Sequence, residues 1–239
     1  MTHKPRNIAL LSILVMFAVA ATASAASATQ FEWKVNGSPL ASGSSREVVA
    51  KDKVAVYLTA TVGGAKMEIA STKLKVRNGA KILGGKPGRG EVSLELEGVT
   101  VTKPANCEVP GRTIVTAPLT SEIVEAASGA IGSGQARLLL SPTSESRVWD
   151  EFEIAGSSCV LRNSVIKPVG NVLAEIGPSN TEAKVEQLKI EPTGAGAHEY
   201  KLSTGGATKR TALTYAGSIA TLTGEAELEL VSKEAFGAF

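Results

Sequence analysis

A strict alternation of apolar and acidic residues is the feature that most constrains how this chain can fold. In "EVSLELEGVTVT" (91–102), Val92, Leu94 and Leu96 alternate with glutamates. Successive side chains of a strand point to opposite faces, so this pattern predicts a half-buried strand with one wet face. Similar patterns recur in "VAVYLTATV", "KMEIASTKLKV", "RTIVTA", "RVWDEFEIA", "CVLRNSVI", "AKVEQLKIE", "TALTYAGSIATLTG" and "EAELELVS". Many short strands without interleaved helices predict an all-β protein, an antiparallel β-sandwich of Greek-key or jelly-roll type.

Turn residues separate these segments. "GGKPGRG" (84–90) lies between two strand patterns, so we expect a long hairpin loop there. Asn36-Gly37 in "FEWKVNG" predicts a type I′ hairpin turn. "LTSEIVEAASG" (119–129) has a threonine cap and a glycine stop, and it fits a helix or a strand equally well.

The first 25 residues have the pattern of a secretory signal peptide. Lys4 and Arg6 precede an apolar run from Ile8 to about Ala21, and small residues follow at Ala23 and Ala25. The alternative is an uncleaved membrane anchor, but the run is shorter than the roughly 20 residues that span a bilayer. We therefore expect cleavage after Ala25, or after Ala28, and a mature chain that is secreted to the extracellular space or the cell wall.

The charge balance argues against two classes of partner. The chain has 25 basic and 23 acidic residues, and the leader holds two of the basic ones, so the mature chain has 23 of each. Nucleic-acid binding normally needs a basic stripe, and none is present. The same balance argues against a polybasic membrane-surface role, and no second apolar run of 18 residues predicts a membrane span. The aromatic residues are also too few for the two girdles of an outer-membrane barrel.

The mature residues, 26–239, are expected to form a single β-sandwich domain. A break near "TKPANC" is the alternative, and it would place a sub-boundary near residues 103–106.

The two cysteines are most simply explained as a disulfide. Cys107 and Cys159 form no C-x2-C pair, and the mature chain has a single histidine, His198, so a zinc site or other metal site is not expected. A redox C-x-x-C motif is absent as well. Export permits a disulfide, which closes a loop of about 52 residues and contributes about 4 kcal/mol in the chain-entropy model.

The same inventory gives no catalytic residues and no cofactor. A Ser-His-Asp triad could use only His198 with Asp52 or Asp150, and "IGSGQ" lacks the first glycine of a nucleophile elbow. "GGKPGRG" lacks the P-loop pattern.

One acidic segment offers a binding hypothesis. "RVWDEFEIAG" places Trp149 beside Asp150, Glu151 and Glu153, and an indole face beside carboxylates is typical of a sugar site. Trp33 in "FEWKVNG" is a second candidate for glycan contact. The alternative is that the tryptophans belong to the core and the acids face solvent.

Part of the chain resembles a group of secreted proteins. The motifs are "TAPL" (116–119), "LLLSP" (138–142) and "WDEFEIAGSSCVLRNSVIKPV" (149–169). Over residues 107–170 they are similar to uncharacterised secreted β-rich proteins of actinobacteria. Asn163 stands where a glycine is commoner, and this chain has one cysteine pair where several such proteins have more. The resemblance implies secretion and carries over no catalytic residue.

The sequence therefore predicts a secreted structural or binding module without catalytic activity. Its expected partners are cell-wall polysaccharide or another surface protein. The alternative is a carbohydrate-active enzyme or glycan-binding protein that uses the acidic segment around Trp149.

Overall fold

Regular structure in this protein is almost entirely β-strand. A computed structural model describes residues 31–77, 79–127, 135–190, 198–203 and 206–239, apart from the side chains at 51–55 and 57. The predicted leader, residues 1–25, lies outside the described residues. Within them, no helix is long and apolar enough to cross a membrane.

The first eleven strands are β1 (Trp33–Val35), β2 (Ser38–Pro39), β3 (Ser45–Val62), β4 (Ala65–Ala70), β5 (Lys73–Val76), β6 (Lys81–Leu83), β7 (Arg89–Val92), β8 (Leu94–Glu97), β9 (Thr100–Lys103), β10 (Thr113–Val115) and β11 (Leu119–Ala126). The others are β12 (Ala136–Pro142), β13 (Phe152–Glu153), β14 (Val165–Ile166), β15 (Val169–Gly170), β16 (Val172–Ile176), β17 (Val185–Ile190), β18 (Glu199–Lys201), β19 (Lys209–Arg210), β20 (Leu213–Tyr215), β21 (Ser218–Leu230) and β22 (Phe236–Ala238). A 3₁₀ helix spans Pro110–Arg112.

Eight antiparallel strands form a closed barrel in the order β21-β17-β16-β12-β11-β7-β6-β3. The ring closes because β3 and β21, far apart in sequence, pair from Leu230↔Val48 to Thr221↔Thr59. The all-β prediction is confirmed, and the sandwich prediction is corrected to a closed barrel. Alternation predicts a strand with one buried face, but it does not say whether the sheet that contains the strand closes.

The inner wall of the barrel follows the alternation of its strands. Gly224, Ala226 and Leu228 of β21 all line the same apolar cavity inside the barrel. The register of β21 against β3 shifts on either side of Glu225, and a side chain at the preceding Gly224 would press on Val56. A bulge at a small residue lets the sheet curve tightly, as a closed barrel of eight strands requires.

A three-stranded sheet of β10, β8 and β5 lies over the part of β3 and β21 that extends past the barrel. Leu74 of β5 and Leu94 of β8 share a cavity with Leu58 and Leu222 from the long strands. The segment 91–102, predicted as one strand, is divided among β7, β8 and β9. Gly98, which adopts a φ of 63° between β8 and β9, is one of the breaks.

The two ends of the described chain meet at one end of the barrel. β1 pairs with β22, and the backbones of Glu32 and Phe239 exchange two hydrogen bonds of 2.7 and 3.0 Å. Asn36 and Gly37 form the predicted turn between β1 and β2, with φ values of 50° and 79°.

The predicted disulfide joins two irregular segments. Cys107 and Cys159 are cross-linked with their Cα atoms 4.8 Å apart. Beside the bridge, the backbones of Glu108 and Ala155 exchange hydrogen bonds of 3.0 and 2.8 Å. "CVLRNSVI", predicted as a strand, is a series of turns until β14. The ambiguous segment "LTSEIVEA" is strand β11.

Candidate functional site

The segment 149–153 carries most of the residues predicted to contact a ligand. Trp149 is 3 % exposed, and its indole Nε1 donates a 2.9 Å hydrogen bond to the carbonyl of Gly170. Its backbone N–H donates to Pro168, and its carbonyl accepts from Ala117. The indole is therefore an anchor of the core that holds this irregular segment in place.

The three acids of this segment do not lie together. Asp150 lines a cavity inside the protein, whereas Glu151 and Glu153 are exposed on either side of buried Phe152. The Glu151 carboxylate pairs with the Nζ of Lys167 at 2.9 Å.

Trp33 lies at a different place, in β1, the strand that pairs with β22. It is 1 % exposed, packs against Phe236 with ring centroids 6.2 Å apart, and donates from Nε1 to the carbonyl of Arg89 at 2.8 Å. A sugar ring stacks only on an aromatic face that it can reach. Because Trp33 and Trp149 are both buried, their placement gives the glycan-contact hypothesis no support.

The cavity beside Asp150, here called the interior cavity, has a volume of about 40 Å³. It lies between the three-stranded sheet and the long strands, and its wall is mostly aliphatic. Three side chains bring polar oxygens to that wall: Ser71, Thr116 and Asp150. Thr116 Oγ1 accepts a 2.9 Å hydrogen bond from the N–H of Leu94.

The two other oxygens of the interior cavity are buried without a hydrogen-bond partner in the described part of the chain. They are Ser71 Oγ, on a residue that is 2 % exposed, and Asp150 Oδ1. Burial disfavours the charged form of a carboxyl group and raises the pKa of Asp150 from 3.8 to about 7. Asp150 is therefore the unusual electrostatic feature of this cavity.

A second cavity, of about 70 Å³, lies inside the barrel and is here called the barrel cavity. Aliphatic side chains and Trp33 form most of its wall. Leu74, Leu94 and Ile190 line both cavities, so these three side chains stand between them.

An open depression, here called the cleft, has a volume of about 680 Å³ and lies between β5, β7, β8 and β11. Lys75 and Arg77 lie on β5 and just beyond it, with Glu91 and Glu95 on β7 and β8. Hydroxyl groups come from Ser93, Thr120 and Thr143. Arg77 Nε lies 3.9 Å from the Glu95 carboxylate, so the cleft presents charges of both signs and little net charge.

His198, the histidine considered for a triad, lies just before β18, and its carbonyl accepts a 3.0 Å hydrogen bond from the N–H of Thr211. Asp150 lines the interior cavity instead, and the side chain of Asp52 lies outside the described residues. Over the described ranges, no three His, Cys, Asp or Glu side chains are grouped to hold a metal ion.

Two buried polar residues, Ser71 and Glu186, were not identified in the sequence analysis. Both are spaced by two from buried or partly buried apolar residues, and this spacing could have identified them. Ser71 follows Met67 and Ile69 at two-residue spacing, and all three are buried. Glu186 likewise precedes Leu188 and Ile190, is 2 % exposed, and has a pKa raised to about 7, chiefly by burial.

Comparison with known proteins adds no relative: no family model, curated protein or solved structure matches this chain.

Proposed function

We propose that this chain is an exported, disulfide-stabilised module that acts without catalysis in the extracellular space or the cell wall. The disulfide between Cys107 and Cys159 carries the proposal. Such bonds persist in oxidising compartments and are rare in the cytosol. The leader-like pattern of residues 1–25 supports the same compartment.

The cleft is the place where we propose that such a module binds its partner. Its volume lies within the roughly 300–1,000 Å³ typical of ligand sites. Charges of both signs and several hydroxyl groups favour a polar, uncharged ligand that both donates and accepts hydrogen bonds. Cell-wall polysaccharide has this chemistry. β7 and β11, which pair with each other in the barrel, form one side of the cleft.

A co-sedimentation assay tests this function. Residues 26–239 are mixed with purified cell wall and with insoluble polysaccharides, and the supernatant is assayed for released sugar. We expect binding without release, and an at least tenfold loss of binding in an Arg77→Ala, Glu95→Ala variant.

The matched control replaces the exposed acids of the other segment, in a Glu151→Gln, Glu153→Gln variant, and should bind like the parent. Loss of binding in this control alone would move the site to the segment around Trp149. Sugar release would contradict the non-catalytic proposal and support the carbohydrate-active alternative.

A further inference from the structure

The interior cavity combines a mostly aliphatic wall with three residues that carry side-chain oxygens. Ser71 lies between β4 and β5, Thr116 follows β10, and Asp150 lies between β12 and β13, so three separate parts of the chain converge there. Burying a polar group without a hydrogen-bond partner costs roughly 1–3 kcal/mol, and two of these oxygens, Ser71 Oγ and Asp150 Oδ1, are in that position. A guest that donates hydrogen bonds to these two oxygens would remove that cost, so the cavity is a candidate binding site.

The interior cavity has an acidic group in its wall and no basic group among the described residues. Asp150 is the only ionisable residue among the described residues of its wall, and the described ion pairs do not include it. Asp150 is half-buried and its Oδ1 is shielded from water, so a cation or a proton at that oxygen would stabilise the carboxyl group. A guest that brings positive charge and hydrogen-bond donors therefore satisfies Asp150 and the neighbouring hydroxyl groups together.

A primary ammonium group meets this requirement because it is both a cation and a hydrogen-bond donor. It has three N–H donors, as a lysine ammonium has, and three residues of the cavity wall, Asp150, Ser71 and Thr116, carry side-chain oxygens. Burial raises the pKa of Asp150 to about 7, and a cation that binds the carboxylate offsets part of this cost of ionisation.

The volume sets the size of the guest. A water molecule occupies about 30 Å³ in the liquid, so the cavity of about 40 Å³ holds one or two heavy atoms. Longer aliphatic tails would have to displace Leu74, Leu94 or Ile190 to reach the barrel cavity.

We propose that the interior cavity is a site for a small primary amine in its ammonium form, with methylammonium as the model compound, held by Asp150, Ser71 and Thr116. The site is separate from the cleft and does not depend on the function proposed for it. Asp150 lies in an irregular segment between β12 and β13, so its backbone is not part of a barrel ladder.

Carboxyl NMR tests the site with little ambiguity, because the chain contains only two aspartates, Asp52 and Asp150. Aspartate labelled with ¹³C at the side-chain carboxyl gives two signals, which an Asp150→Asn or an Asp52→Asn variant assigns. The pH midpoint of the Asp150 signal is then measured in phosphate buffer with and without 100 mM methylammonium. The controls are tetramethylammonium, which has no N–H donor, and potassium chloride at equal ionic strength.

We expect methylammonium to lower the Asp150 midpoint by about one pH unit, since a cation that binds the carboxylate favours ionisation. Neither control salt should move it, and Ser71→Ala should at least halve the methylammonium effect. A midpoint that does not move in methylammonium, as when water alone fills the cavity, overturns the proposal. An equal shift in tetramethylammonium or potassium chloride overturns it too, because the effect is then ionic strength or charge alone.

Discussion

Replacing Asp150 by asparagine should stabilise this protein at high pH and leave it nearly unchanged at low pH. Burial raises the pKa of Asp150 from 3.8 in the unfolded chain to about 7 in the folded one. The folded state therefore binds more protons between these values, and the free energy of unfolding falls as the pH rises through them. The contribution of the protonated Asp150 carboxyl to the free energy of unfolding is fully present below pH 4 and is lost by about pH 8.

The size of the effect follows from the pKa difference. Each unit corresponds to 1.36 kcal/mol, so a shift of about three units is worth at most about 4 kcal/mol. Asparagine keeps the shape of the neutral acid and cannot ionise. We expect Asp150→Asn to be more stable than the parent by about 2–4 kcal/mol at pH 8, and to differ by less than about 1 kcal/mol at pH 4.

Urea unfolding of the oxidised protein at pH 4, 6 and 8 measures this, in phosphate or acetate rather than an amine buffer. Glu151→Gln is the matched control, because this exposed neighbour pairs only at the surface and its loss should change stability by less than about 1 kcal/mol at every pH. Some pH dependence should remain in Asp150→Asn from buried Glu186, and adding Glu186→Gln should reduce it. An Asp150→Asn difference that is the same at pH 4 and pH 8 would refute the reasoning.

Three further substitutions test the fold. Replacing Cys107 and Cys159 together by serine should lower the free energy of unfolding by about 4 kcal/mol, measured against the oxidised parent in urea. Gly170→Ala should cost more than Gly206→Ala in thermal unfolding: both positions have positive φ, but only at Gly170 would a Cβ overlap a neighbouring carbonyl oxygen. Equal losses at the two glycines would contradict that packing. Trp33→Ala should cost about 3–5 kcal/mol, because the indole is buried beside the barrel cavity, and a loss below about 1 kcal/mol would place it outside the core.

The strands and the cross-link could be predicted from local patterns, whereas closure of the barrel could not. Whether a strand exists depends on its own alternation, but its partner depends on pairings such as Leu230↔Val48, which join distant parts of the chain. The segment 91–102 shows the same limit, since its unbroken alternation spans strands that belong to three different pairings.

For the site residues, two-residue spacing is a better guide to which side chains share a face than adjacency in the sequence. Asp150 was grouped with Glu151 and Glu153 because they are neighbours, yet it is in phase with buried Phe152 and Ile154. Reading alternate positions as one face would have separated it from the exposed acids. The interior cavity itself arises where three segments converge, which no local pattern reports.

The most direct test of the proposed role is to express residues 1–239 in an exporting host and determine the N-terminus and intact mass of the product. We expect a chain recovered outside the cytoplasm that begins at Ala26 or Thr29, with a mass about 2 Da below that of its fully reduced form. A chain retained in the cytoplasm with Met1 in place and two free thiols would contradict the account.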